Sequence, residues 1–210
     1  CYFKIPKVSL DTNENYIYFP LNFQPESTTS PQGDIYTDQY LAILTLSNII
    51  PCNTVVIVKE HPNQALWRRS PEFYSILNNL KNVKFVNRKF DSHTLILNSL
   101  AVATITGTAG WEALFNNKPV IIFGNAFYKD IPGVIDANNH KDLSKAILDI
   151  INGTFVSTSI HDIYQFLLTV QNEYEYGITE EGSFKNSDLN KESNHKLIIK
   201  ALNKALVKFH

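Results

Sequence analysis

Three short segments hold the residue types that could act on a phosphorylated ligand. The first is Thr104-Ile-Thr-Gly-Thr-Ala-Gly-Trp-Glu-Ala-Leu114, where small and hydroxylated residues separate two apolar runs. Strand, tight turn and helix in that order aim the backbone N–H groups of a helix start at an anion. Thr106 and Thr108 add hydroxyls, while Gly107 and Gly110 let a ligand approach the backbone closely. Glu112, on the first helical turn, is placed to accept from a hydroxyl beside the anion. The same residues equally suit an ordinary strand-to-helix turn with capping threonines, since short Gly/Thr motifs recur widely without function.

The second segment is Val58-Lys-Glu-His-Pro62. Lys59 and His61 bring an amine and an imidazole to the end of a β-branched run, and open α/β sheets bind ligands at such carboxyl ends. Taken alone, His61 before Pro62 suits a loop-ordering hydrogen bond better than a ligand contact. The third segment is Phe19-Pro-Leu-Asn-Phe-Gln-Pro-Glu26, where Gln24 and Glu26 open a long loop and either contact a ligand or order the loop. Tyr128, near Pro132-Gly133, reads as packing ahead of contact, and Trp111 as core ahead of a stacking platform.

The elements that must position these groups follow from hydrophobic periodicity. Strands are expected at Tyr16–Phe19, Thr54–Val58, Val83–Val86, Ala101–Ile105 and Val120–Phe123. Helices are expected at Asp38–Ile50, Ser70–Leu80, Ser92–Ser99, Trp111–Phe115, Lys141–Asn152, Ser159–Glu175 and Lys191–Phe209, with Thr179–Asn190 as loop. Alternation of strand and helix predicts an α/β, Rossmann-like, doubly wound parallel sheet with extra C-terminal helices. Residues 1–15 read as a linker from an upstream domain, 16–155 as the Rossmann-like domain, and 156–210 as helices packing on it or returning upstream.

Composition bounds the function. The chain has 210 residues, 44% of them hydrophobic and 19% charged, with a formal net charge of −1. That balance gives no electrostatic case for nucleic acid or an anionic membrane surface. No apolar run approaches a bilayer span. Two cysteines, Cys1 and Cys52, do not make a disulfide framework, so a reducing cytoplasm is the default. A chain without methionine that begins Cys-Tyr-Phe-Lys is expected to be a fragment of a longer protein.

Taken together, the three segments, with Asp38-Gln39, Lys118-Pro-Val120 and Phe123-Gly-Asn-Ala-Phe-Tyr128 to Pro132-Gly133, resemble the capsule polysaccharide biosynthesis family, which includes bacterial transferases of 3-deoxy-manno-octulosonic acid (Kdo). The resemblance spans roughly residues 16–134. It implies the C-terminal, donor-binding half of a GT-B glycosyltransferase, using a CMP-activated sugar such as CMP-Kdo. By that resemblance His61-Pro62 and Thr106-Gly107-Thr108 hold phosphate and ribose. The chemistry of the residues adds an imidazolium from His61 and positive charge from Lys59, with Glu112, Gln24, Glu26 and Tyr128 as further candidate contacts. Many Kdo-transferase-like members carry Asn-Ser-Thr where this chain has Thr106-Gly107-Thr108.

The implied partners are a nucleotide-sugar donor, a glycan or glycolipid acceptor and the missing N-terminal domain, which would supply the catalytic base. No metal or cofactor is implied. Peripheral attachment of the full-length protein at the inner face of the cytoplasmic membrane stays open. Two other readings also stay open: a non-catalytic nucleotide- or carbohydrate-binding module, and a GT-B epimerase or phosphotransferase acting on UDP- or CDP-linked substrates.

Overall fold

β-Branched and aromatic residues cluster in short runs separated by amphipathic segments, and each run becomes one strand of a single parallel sheet. The computed structural model describes residues 2, 5–9, 14–26, 29–173 and 190–207. Its strands are β1 (Asn15–Pro20), β2 (Thr54–Lys59), β3 (Val83–Phe85), β4 (Ala101–Thr104), β5 (Val120–Ile122) and β6 (Val134–Asp136). The helices are α1 (Gln39–Ile49), α2 (Pro71–Asn78), α3 (Ser92–Asn98), α4 (Thr108–Phe115), α5 (His140–Ile151), α6 (Ile160–Glu173) and α7 (Lys191–Val207). The strand order is β3-β2-β1-β4-β5-β6, every neighbouring pair is parallel, and β1 stands at the point where the order reverses.

All six residues of β2 are buried, as befits a parallel strand covered on both faces. Ile17, Phe19, Val56, Val58, Ala103 and Ile121 belong to one core with Ile43 and Leu46 of α1, Leu77 of α2 and Ile147 of α5. Their alternate neighbours Tyr16, Tyr18, Ile57, Val102 and Ile122 are also buried and face the other way, on the side of α3 and α4. The Tyr16 hydroxyl donates to the Leu95 carbonyl of α3 at 2.9 Å. Burial of roughly a dozen large apolar side chains, each worth about 1.5–3 kcal/mol, is the main term holding this sheet between its helices.

Several expectations change. Helix α4 begins at Thr108, three residues before the first strongly helical residue, Trp111. Strand β6 is additional; it follows Gly133, whose φ of +90° is a glycine conformation and whose neighbour Thr158 donates to the Pro132 carbonyl. Nor are the described residues before β1 a free linker. Tyr2 and Ile5 are buried in the core, and Lys7 bridges to Phe85 of β3.

By contact the chain divides into Cys1–Ile163 and Tyr164–His210, the boundary falling inside α6. The first unit holds the sheet and α1–α5. In the second lie the rest of α6 and α7, where the Asn190 side chain accepts the Ser193 N–H as an N-terminal cap. The expected loop at Thr179–Asn190 lies outside the described residues up to residue 189, as does Phe209. Among the described residues no helix is long and apolar enough to cross a membrane.

Candidate functional site

The carboxyl ends of β1, β2, β4 and β5 open onto one edge of the sheet, and a continuous run of buried and partly buried hydrogen bonds ties their tips together. At the β2 tip, Glu60 is completely buried beside Arg69. Arg69 donates from Nε to Glu60 Oε2 at 2.9 Å and from Nη2 to Oε1 at 3.1 Å, a two-pronged pair. The Tyr74 hydroxyl adds a 2.6 Å bond to Oε2, and the His61 N–H one of 2.8 Å to Oε1. Four donors on one carboxylate satisfy the charge that burial would otherwise penalise. Burial first, then the Glu60 charge, pushes the Tyr74 hydroxyl far above its ordinary pKa, so it stays a donor.

The same guanidinium crosses to the β1 tip, where Nη2 donates to the Asn22 carbonyl at 2.9 Å. Gln39, buried at the first position of α1, clasps the Asn22 backbone from the other side. Its Oε1 accepts the Asn22 N–H at 2.8 Å, and its Nε2 donates to the Asn22 carbonyl at 3.2 Å. The Asn22 side chain then reaches the β4 tip, where Oδ1 accepts from the Thr104 hydroxyl at 3.3 Å. Thr104 Oγ1 in turn accepts the Gly107 N–H at 3.1 Å. From the β5 side, the Tyr128 hydroxyl donates to the Gly107 carbonyl at 2.6 Å.

Gly107 is therefore held from two sides, and it occupies the N-cap of α4 with no side chain to offer the first-turn amides. A Cβ there would stand 2.7 Å from Thr104 Oγ1, so this position must be glycine for close approach. Thr108, the first residue of α4, is exposed, and Thr106 is half-buried. Gly110 has a different purpose from the expected ligand access: a Cβ there would stand 2.2 Å from the Tyr128 hydroxyl. Tyr128 itself is fully buried, which corrects its place among the contact residues; it acts by fixing Gly107.

His61 follows Glu60 and is half-buried, its ring edge-on to Phe23 at 5.5 Å. Nδ1 accepts the Asn63 N–H at 3.2 Å, so Nδ1 carries no proton and Nε2 does. Burial lowers its pKa below the ordinary value, with Glu60 and Glu26 pulling the other way. The lowered pKa favours the neutral ring with Nε2–H as its donor. Pro62 is exposed and lies within the turn closed by the Gln64 N–H on the His61 carbonyl.

The remaining candidates separate into two groups. Gln24 is consumed by stitching: its N–H donates to Gln64 Oε1 at 2.8 Å, its carbonyl accepts from Gln64 Nε2, and its own amide donates to the Thr37 carbonyl. Glu26 is exposed and acts on His61 through its charge. Lys59 lies on the α3 side of β2, buried, with Nζ bonded to the Ser92 hydroxyl. Burial lowers its pKa, opposed by Asp91 and Glu112. Because α4 starts at Thr108, Glu112 is exposed on its second turn and not on the expected first, and its charge is felt at Lys59 and at Tyr18. Trp111 is half-buried against Phe115 and Phe127, at 5.0 and 5.2 Å.

Arg69 and Tyr74 shape this edge without any signal in the sequence, and Asn22, Gln39 and Thr104 lie in or beside the segments that stand out without being candidates themselves. Asn22 lies within a segment that does stand out, but a lone asparagine in a loop points nowhere by itself. Among the described residues no group of three or more His, Cys, Asp or Glu side chains could hold a metal ion.

No curated protein matches the sequence. Among solved structures, UDP-GlcNAc 2-epimerase from Methanocaldococcus jannaschii is similar at 16% identity and a TM-score of 0.52, covering 72% of this chain and 42% of that one. KpsC from Thermosulfurimonas dismutans is similar in two structures. The one titled beta Kdo 2,7 transferase matches at 20% identity and TM-score 0.48, covering 63% of this chain and 40% of that one. The one titled beta Kdo 2,4 transferase matches at 17% identity and TM-score 0.48, covering 78% and 55%. The chain thus spans 40–55% of the length of these structures. The likeness to the epimerase supports the Rossmann-like fold of the GT-B class. The family model described as capsule polysaccharide biosynthesis protein matches residues 4–149, well over half of the sequence. The chain belongs to the capsule polysaccharide biosynthesis protein family.

Proposed function

We propose that this domain binds the donor nucleotide of a glycosyltransferase that builds bacterial capsule or surface polysaccharide, with a CMP-activated sugar such as CMP-Kdo as the donor. The observation that carries the reading is the tying of the His61 loop and the α4 start to one sheet edge through Glu60, Arg69, Asn22 and Thr104. A CMP-sugar releases a phosphate monoester, and the charge that develops there needs fixed donors. His61 Nε2–H, the Thr108 hydroxyl and the first-turn amides of α4 supply donors in this reading, with Glu112 accepting from a ribose hydroxyl. The acceptor site and its general base belong to the other half of the full-length protein. Attachment to the cytoplasmic face of the membrane would likewise be a property of that protein.

Calorimetric titration with CMP, CDP, UDP and cytidine tests this. CMP is expected to bind more tightly than cytidine. His61→Ala and Thr108→Ala should each weaken CMP about tenfold or more, the value of a hydrogen bond to a charged group, with cytidine affinity unchanged. Equal losses for CMP and cytidine would move these residues to the base or ribose. A preference for UDP would favour the reading in which a UDP-linked sugar is the ligand.

A further inference from the structure

We infer that Asn22 is a ligand-contacting residue whose side-chain amide N–H completes an anion cradle with the start of α4. The inference rests on the nucleotide-binding reading above and adds a residue to it. The identity of the two side-chain atoms follows from the hydrogen bonds around them. Thr104 Oγ1 already accepts the Gly107 N–H, and its single proton goes to Asn22 Oδ1. Oδ1 is thereby the acceptor, and Nδ2 is left as the donor. All the other capacity of Asn22 is consumed: its N–H by Gln39, and its carbonyl by Gln39 and Arg69.

Among the described residues nothing accepts from Nδ2, although Asn22 is 91% buried, at 9% exposure. Nδ2 itself is not sealed from solvent, so a ligand can reach it. Its location is specific: a side chain added to Gly107 would approach Nδ2 to 3.4 Å. The unused donor thus adjoins the N-cap of α4, where Gly107 has no side chain to satisfy the first-turn amides of an eight-residue helix. A phosphoryl oxygen seated there satisfies Nδ2 and those amides together. The elaborate clamp on the Asn22 backbone, from α1 and from Arg69, holds this amide in place before the ligand arrives.

Asn22→Asp is the near-isosteric test. The carboxylate accepts the Thr104 hydroxyl as the amide oxygen does, but it presents negative charge where the donor stood. CMP affinity should fall at least about tenfold, cytidine affinity should hold, and the melting temperature should stay close to wild type. The loss should lessen at low pH, as the new carboxyl takes a proton and can donate again. Asn22→Ala, which removes the donor without adding charge, should show a smaller loss confined to CMP. Should either variant unfold, the wild-type protein still decides: the Asn22 side-chain NH2 resonances should shift on titration with CMP and not with cytidine. Unchanged CMP affinity in a folded variant, or an Asn22 amide unmoved by saturating CMP, overturns the inference and leaves the phosphate site standing. A wild-type protein that binds CMP no better than cytidine overturns the site, and Asn22 with it.

Discussion

The tips of β2 and β4 lie on the same sheet edge and are built in opposite ways. At the β2 tip the buried charged groups are spent inside the protein, Glu60 on Arg69, Tyr74 and the His61 amide, and Lys59 on Ser92, and the His61 ring rides on that frame. At the β4 tip the chain turns on Gly107 and enters a helix with no capping side chain at that position. One tip is a brace and the other an opening. A ligand site needs both, because donors aimed at an anion discriminate only if the backbone carrying them cannot swing away.

The sharpest way to break this contrast is to remove the brace. Glu60→Ala strands Arg69 in a buried site and frees the His61 amide and the Tyr74 hydroxyl together. Breaking a buried pair in this way costs about 3–5 kcal/mol, which a denaturant midpoint will read directly. A loss near that for an ordinary surface substitution would mean that the β2 tip is no more rigid than the β4 tip. A smaller effect is expected from Tyr128→Phe, which deletes the bond to the Gly107 carbonyl while keeping the ring. The stability loss should be about 1 kcal/mol, and CMP affinity should fall with it because the turn loses one of its two anchors. If stability falls and affinity does not, Tyr128 supports the core alone.

The smallest effect concerns His61. Burial holds its folded pKa below the ordinary 6.5, so in the window between those two values the unfolded chain binds more protons. Stability therefore rises with pH through that window. A bound phosphate has the opposite influence: it stabilises the charged ring, so CMP binding should take up a fraction of a proton and strengthen as pH falls toward 6. Calorimetry in two buffers of different ionisation enthalpy reads the uptake. Binding without proton uptake would place the phosphate beyond the reach of His61.

The sheet was legible because its signals are local. Thr54-Val-Val-Ile-Val58 cannot readily be anything but a buried strand, and Pro71 behind Ser70 marks a helix start, with the Ser70 side chain accepting the Phe73 N–H. The three segments that stand out in the sequence do converge at one edge. What stayed hidden depends on distance along the chain. Arg69 meets the Asn22 carbonyl across 47 residues, and Gln39 meets it across 17, pairings that no local pattern announces. Gly110 misled for a related reason: its partner is Tyr128, brought to it by the fold. Strand β6 is only three residues long and carries a solvent-facing Asp136, too short for an alternating pattern to register. Helix α4 starts early because Thr108 and Ala109 are neutral in periodicity, and only the geometry of Gly107 sets the boundary.

The few residues ahead of β1 carry a further consequence, one that concerns the company of other molecules. A bare border of a parallel sheet presents unpaired amides and carbonyls to any extended chain that drifts past, and sheets so exposed recruit copies of themselves. Here the border at β3 is partly occupied: Val8 donates to the Phe85 carbonyl at 2.9 Å, and Lys7 folds its amine back over the Tyr2 ring and onto the Tyr2 and Ile5 carbonyls. A charged, β-paired guard of this kind denies the template to a neighbour. The stretch is small, yet it covers part of the β3 border that an extended chain would otherwise meet bare.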